Sequence, residues 1–91
     1  MVTKGKKRGE YRFTYKPDGS VKKVALAGSF NQWKPQSMIR QKSGEFALTL
    51  PLTAGYYEYK FIADGNWVQD SQNGAYAFNP YGTVNSVLKA D

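Results

Sequence analysis

Cysteine and histidine are both missing from this chain of 91 residues. Without cysteine there can be no disulfide and no thiolate metal site. Without histidine the usual general base, the usual activator of a nucleophile and the usual metal ligand all go at once. Apolar runs are short as well. None approaches the roughly 20 residues that a bilayer crossing needs, and no secretory signal is recognisable, so a cytoplasmic location is expected. Acids are few and scattered: Glu10, Asp18, Glu45, Glu58, Asp64, Asp70 and Asp91. Asp18 and Asp64 sit in turns, whose conformation already accounts for them. Nothing suggests a pocket around a carboxylate pair of the glycosidase kind. No P-loop, EF-hand or zinc spacing occurs. The reading is a non-enzyme without a cofactor.

What is present is a positive charge with a lopsided distribution. The net charge is +6, and Lys4, Lys6, Lys7 and Arg8 fall within the first nine residues, which hold no acid. The remainder carries nine basic against seven acidic residues. Residues 1–9 therefore read as a disordered, basic, glycine-containing arm, and residues 10–91 as one domain. Such an arm is more often a solubilising tail than a grip on phosphate backbones, so nucleic acid is not the expected partner.

Along the domain, short strand patterns alternate with turn chemistry. Tyr11-Arg12-Phe13-Thr14-Tyr15 alternates aromatic and polar residues, as a half-buried strand does. Lys16 to Ser20 is a turn, and Lys22 to Ala27 is the next strand, with Val24 and Leu26 on one side and the small Ala25 and Ala27 on the other. Gly28 to Pro35 leaves the sheet as a loop with two aromatics, one to anchor it and one free to point outward. Ser37 to Gln41 is ambiguous and reads at most as a short edge strand. Phe46, Leu48 and Leu50 give an inward face to a strand that Pro51 ends. Asp70 to Tyr81 reads as a long loop, and Gly82 to Leu88 as the last strand, with Thr83 and Asn85 on one face. No helical period appears. Several short strands without crossovers predict an all-β, immunoglobulin-like antiparallel sandwich.

The most informative stretch is Tyr56 to Val68. Asp64-Gly65 is a strong hairpin signal. A two-residue turn there pairs Ala63 with Asn66, Ile62 with Trp67, and Phe61 with Val68. Tyr57, Tyr59, Phe61 and Val68 then share one face, and Lys60, Ile62 and Trp67 share the other. Tryptophans in small sandwiches are often core residues. Two features weigh against that for Trp67: the opposite face already supplies an apolar stripe, and Lys60 would be costly to bury unpaired beside it. An outward face bearing aromatics, amides, hydroxyls and a lysine suits a sugar, whose ring has an apolar C–H face and a polar rim.

Three segments occur in order: Val24-Ala25-Leu26-Ala27-Gly28-Ser29-Phe30-Asn31-Gln32-Trp33, Tyr57 to Trp67, and Gly82-Thr83-Val84-Asn85-Ser86-Val87. Together they make the chain, from about Tyr11 to Lys89, resemble a family 48 carbohydrate-binding module. That family includes the glycogen-binding domain of the β subunit of AMP-activated protein kinase. The resemblance implies that Trp33 and Trp67 stack on glucose rings of an α-1,4-linked glucan. It implies that Lys60 and Asn85 hydrogen-bond sugar hydroxyls, with Thr83 nearby. It also implies a partner or attached glucan-metabolising enzyme, or a kinase subunit, that the module brings to the polymer. Two positions depart from the pattern. Tyr81 stands where kinase-associated members have an aliphatic residue that contacts sugar, and Ser71 follows Asp70 where many members have proline. Tyr81 is therefore a third candidate stacking surface, or a residue that crowds the site. The rival reading is a structural domain whose aromatic face docks on a protein, without sugar binding.

Overall fold

Asp64 and Gly65 adopt φ angles of 47° and 85° in the computed structural model, which describes residues 1–91. Two positive angles define the type I′ turn, the one whose twist matches its flanking strands. The register follows as expected, with Phe61 opposite Val68, Ile62 opposite Trp67 and Ala63 opposite Asn66. Asp64 also ties this turn to the neighbouring strand. Its carboxylate accepts the backbone N–H groups of Lys22, at 3.1 Å, and Lys23, at 2.8 Å. The donors of Lys23 and then Lys22 hold its pKa below the ordinary aspartate value.

Ten strands follow in order: β1 (Val2–Lys4), β2 (Glu10–Tyr15), β3 (Val24–Gly28), β4 (Gln36–Ser37), β5 (Ile39–Arg40), β6 (Phe46–Pro51), β7 (Gly55–Ala63), β8 (Asn66–Val68), β9 (Tyr76–Phe78) and β10 (Val84–Ala90). One sheet runs β1-β2-β6-β5. The other runs β4-β3-β7-β10-β9, with β8 also paired to β7. Every pairing is antiparallel. The expected immunoglobulin-like sandwich is therefore the fold. One turn of 3₁₀ helix, Ser29–Asn31, interrupts the strands, and no helix is long and apolar enough to cross a membrane.

Phe13, Leu26, Tyr59 and Phe61 are fully enclosed between the sheets. Phe13 meets Tyr59 edge-on at 5.2 Å, and Tyr15 stacks on Phe61 at 4.9 Å. Such pairs add about 0.5–1.5 kcal/mol each beyond the area they bury. The stripe expected on one face of β7 is this core.

Three segments differ from the sequence reading. Residues 1–9 were expected to be a disordered arm. Instead Val2 to Lys4 pair with Phe13 to Tyr11, because the β2 edge offers free backbone partners, and Gly9 turns the chain at φ 83°. Within the expected long loop, Tyr76–Phe78 pairs with β10 as an edge strand. Its aromatics are exposed, so it buries no apolar stripe to announce it, and flanking Asn, Gly and Pro mask it. Ser37 to Gln41 proves to be a crossing point. Gln36 and Ser37 pair with β3, Ile39 and Arg40 pair with β6, and buried Met38 between them carries the chain from one sheet to the other.

The loop after β8 also contains a buried carboxylate. Asp70 is 2% exposed and accepts the Tyr59 hydroxyl at 2.7 Å, while its own N–H donates to Ser86 Oγ at 3.0 Å. Burial, then the hydrogen bond to Asp70, pushes the Tyr59 pKa up. Asn73 donates to the same hydroxyl at 3.0 Å and to the Val87 carbonyl at 2.9 Å. These bonds seat the Asp70–Asn73 turn on β10 and leave few polar groups in the sandwich unpaired.

Candidate carbohydrate-binding groove

The strand β3 ends where the backbone has no room for a side chain. A Cβ on Gly28 would lie 2.6 Å from the Glu58 carbonyl oxygen and 2.7 Å from the Phe30 ring. Glycine thus lets the chain turn directly over β7. Phe30 is the aromatic that anchors the loop, with ring centroids 5.4 Å from Phe13 and 6.0 Å from Tyr57. Asn31 accepts the Gly28 N–H at 3.0 Å. Gln32 and Trp33 then take φ angles of 56° and 59° in succession. Left-handed backbone at a non-glycine residue costs about 1–3 kcal/mol, and such strain tends to collect at functional sites. The bond from the Trp33 N–H to the Gly28 carbonyl, at 2.9 Å, holds the conformation. Trp33 is the second aromatic of the loop, and it is half-buried, against the expectation of a ring free to point outward.

The indole of Trp33 meets that of Trp67, with ring centroids 6.4 Å apart and planes inclined at 45°. Trp67 is 50% exposed, on the face opposite the enclosed Phe61. The two rings form one wall of an open groove of about 750 Å³. All six residues singled out from the sequence line it: Trp33, Lys60, Trp67, Tyr81, Thr83 and Asn85.

The floor comes from a gap in strand pairing. The first part of β7 pairs with β10 as far as Tyr59 opposite Ser86, and its last three residues pair with β8. Lys60 lies between the two ladders. Ala27 faces it from β3, too small to fill the space. Lys60 is 9% exposed, and its ammonium donates to Thr83 Oγ1 at 3.0 Å. Partial burial with a partner resolves the cost that the sequence raised. Two ammonium protons remain for a ligand. Asn85 is slightly more enclosed, at 7% exposed, and its Nδ2 donates to Glu58 Oε1 at 3.0 Å.

Tyr81 is 91% exposed at the rim, so it neither fills nor crowds the floor. The groove also includes Ser29, Glu58, Phe78, Asn79 and Pro80, which sequence reading did not select. Glu58 was within reach of it, since alternation along β7 puts residues 58 and 60 on one face. Asn79 left no such signal, because its position depends on the unforeseen pairing of β9. With one carboxylate and one ammonium among its lining residues, the groove has no net charge bias. Ring plates, fixed amides and donors above a neutral floor suit an uncharged, hydroxyl-bearing ligand.

Comparison with known proteins agrees with this. The family profile for the glycogen recognition site of AMP-activated protein kinase matches residues 9–91. The chain belongs to that family. As a member of this glycogen-recognition family it is 35% identical over 71 residues to the 5'-AMP-activated protein kinase subunit beta-1 of Sus scrofa, covering 78% of this chain and 57% of that one. It is 33% identical over 67 residues to subunit beta-2 of Homo sapiens, covering 74% and 24%. The SNF1-related protein kinase regulatory subunit beta-2 of Arabidopsis thaliana is 39% identical over 46 residues, or 50% of this chain and 16% of that one. The chain thus spans a little over half of the pig subunit and about a quarter of the human one.

Proposed function

We propose that this domain binds α-1,4-linked glucan of the glycogen or starch type, without catalysing any change in it. On this reading it brings a kinase complex or a glucan-metabolising enzyme to the polymer. The observation that carries the proposal is the pair of tryptophans inclined at 45° above the donors Lys60 and Asn85. An α-1,4 chain curls, so successive glucose faces turn relative to one another and meet inclined plates. A β-1,4 chain is flat and would call for plates in one plane. Membership of the glycogen-recognition family supports the same ligand, and the names of the relatives support a kinase partner. The non-catalytic assignment draws on Glu58. It is the one carboxylate of the groove and is engaged by Asn85, so no second acid stands across from it. A shallow site leaves much of its ligand in water, and affinity is accordingly modest.

Tryptophan fluorescence titration tests the proposal, because both reporters lie in the groove. Maltoheptaose should shift the emission with saturation. Cellohexaose should bind at least tenfold more weakly, a difference of about 1.4 kcal/mol. Equal responses would overturn the α-1,4 preference, and no response to either sugar would favour a protein-docking surface instead.

A further inference from the structure

One side of the groove is the 79–83 turn, and one side chain organises it. The Asn79 N–H donates to the Thr83 carbonyl at 2.9 Å, and the Asn79 carbonyl accepts the Gly82 N–H at 3.2 Å. The side-chain Oδ1 accepts the N–H groups of Tyr81, at 3.0 Å, and Thr83, at 3.2 Å. Its Nδ2 donates to Thr83 Oγ1 at 2.6 Å and to Asn85 Oδ1 at 3.1 Å. An asparagine amide offers two protons and two lone pairs. All four are committed within the protein, so Asn79 has nothing left with which to grip a ligand.

The direction of these bonds is fixed from both ends. The two backbone N–H groups can only donate, so the Asn79 atom they meet is the oxygen, and the amide nitrogen faces Thr83 and Asn85. Asn85 therefore turns its oxygen to Asn79 and its nitrogen to Glu58, where it donates at 3.0 Å. Thr83 Oγ1 receives two protons, one from Lys60 at 3.0 Å and one from Asn79. Both of its lone pairs are then occupied. A hydroxyl is ordinarily free to donate or accept, but this one can only donate, and its proton is left for the groove.

We infer that Asn79 is a positioning residue for the glucan site: it makes the Thr83 hydroxyl an obligatory donor to the sugar and fixes the amide of Asn85 beside it. The inference rests on the glucan reading and adds to it a selectivity for acceptor oxygens, ring or hydroxyl, at the point that Thr83 faces.

Asn79→Asp separates this role from simple support of the turn. Aspartate is nearly isosteric and keeps an oxygen for both backbone N–H groups, but it replaces the donating NH₂ with a second acceptor. The Thr83 proton then turns inward to the carboxylate and is lost to the sugar. The expected result is a melting point within a few degrees of the parent and maltoheptaose affinity about tenfold weaker. Thr83→Val removes the hydroxyl but keeps the bonds from the Tyr81 and Thr83 N–H groups to Asn79 Oδ1, and it should lose about as much. The double variant should also be about tenfold weaker, rather than the hundredfold that independent effects would give. Full affinity in either single variant, or multiplied losses in the double one, would overturn the inference. Should Asn79→Asp melt early, Thr83→Val alone decides: parental affinity in that variant overturns it. Failure of the parent protein to bind any glucan would instead overturn the glucan reading, and this inference with it.

Discussion

Lys60 shows how a single side chain can belong to both sheet and site. Its stem lies in the break between two strand ladders beside Ala27, while its ammonium reaches Thr83. Truncating the charge without removing the stem tests the two roles separately. Lys60→Met keeps most of the packing volume and relieves the partly buried ammonium. Its melting temperature should match or exceed that of the parent, and its maltoheptaose affinity should fall by about 1.5–3 kcal/mol, the value of a hydrogen bond to a charged donor. Melting curves and titrations on this variant provide the check. Retained affinity would show that the ammonium faces protein only. Trp33 makes a similar point through its backbone. It sits at φ 59°, where a bulky residue is strained, and that strain is offset by Gly28, Phe30 and Asn31 within one short segment.

Among the elements, the β7–β8 hairpin was the most legible in the sequence. Asp64-Gly65 sets the turn type, the turn type sets the register, and the register puts Phe61 inside and Trp67 outside. Such local rules need no knowledge of the remaining fold. The bonds from the Lys22 and Lys23 N–H groups to the Asp64 carboxylate are different, because they join residues about forty positions apart and no local pattern encodes them. They have a consequence for pH. The folded state lowers the Asp64 pKa, so the charged form contributes stability above the ordinary aspartate value, and that contribution is lost as pH falls through the lowered one. Asp64→Asn keeps an acceptor and tolerates the left-handed backbone, but it cannot titrate. Thermal melts between about pH 5 and pH 2 should show the parent losing more stability than this variant over the acid end. Parallel pH profiles would mean that the carboxylate bonds do not persist in solution. What stayed hidden in the sequence were edge elements: β1, β9, and the crossing at Met38. Each owes its place to a neighbouring strand, because none buries an apolar stripe of its own. The groove was half legible for the same reason. Residues on β7 and β10 follow from alternation, whereas Asn79 follows only from the pairing of β9.

At the scale of the whole molecule, the sandwich divides its labour between the two faces of one sheet. The inner face carries Tyr59, Phe61 and Leu26, with the buried polar set of Asp70, Tyr59 and Ser86 beneath the loops. The outer face carries the groove. Because β7 contributes to both, stability and binding can be changed separately by substitutions six residues apart. Phe61→Ala empties an enclosed core site and should cost about 3–5 kcal/mol, a large share of the stability of so small a domain. Trp67→Ala removes a half-exposed plate and should leave stability within about 1 kcal/mol of the parent. The most direct test of the account is therefore a maltoheptaose titration of Trp67→Ala, followed by the fluorescence of Trp33 and paired with its melting curve. A near-parental melt with no detectable binding is the expected result. A melt as depressed as that of Phe61→Ala, or a titration indistinguishable from the parent's, would contradict it.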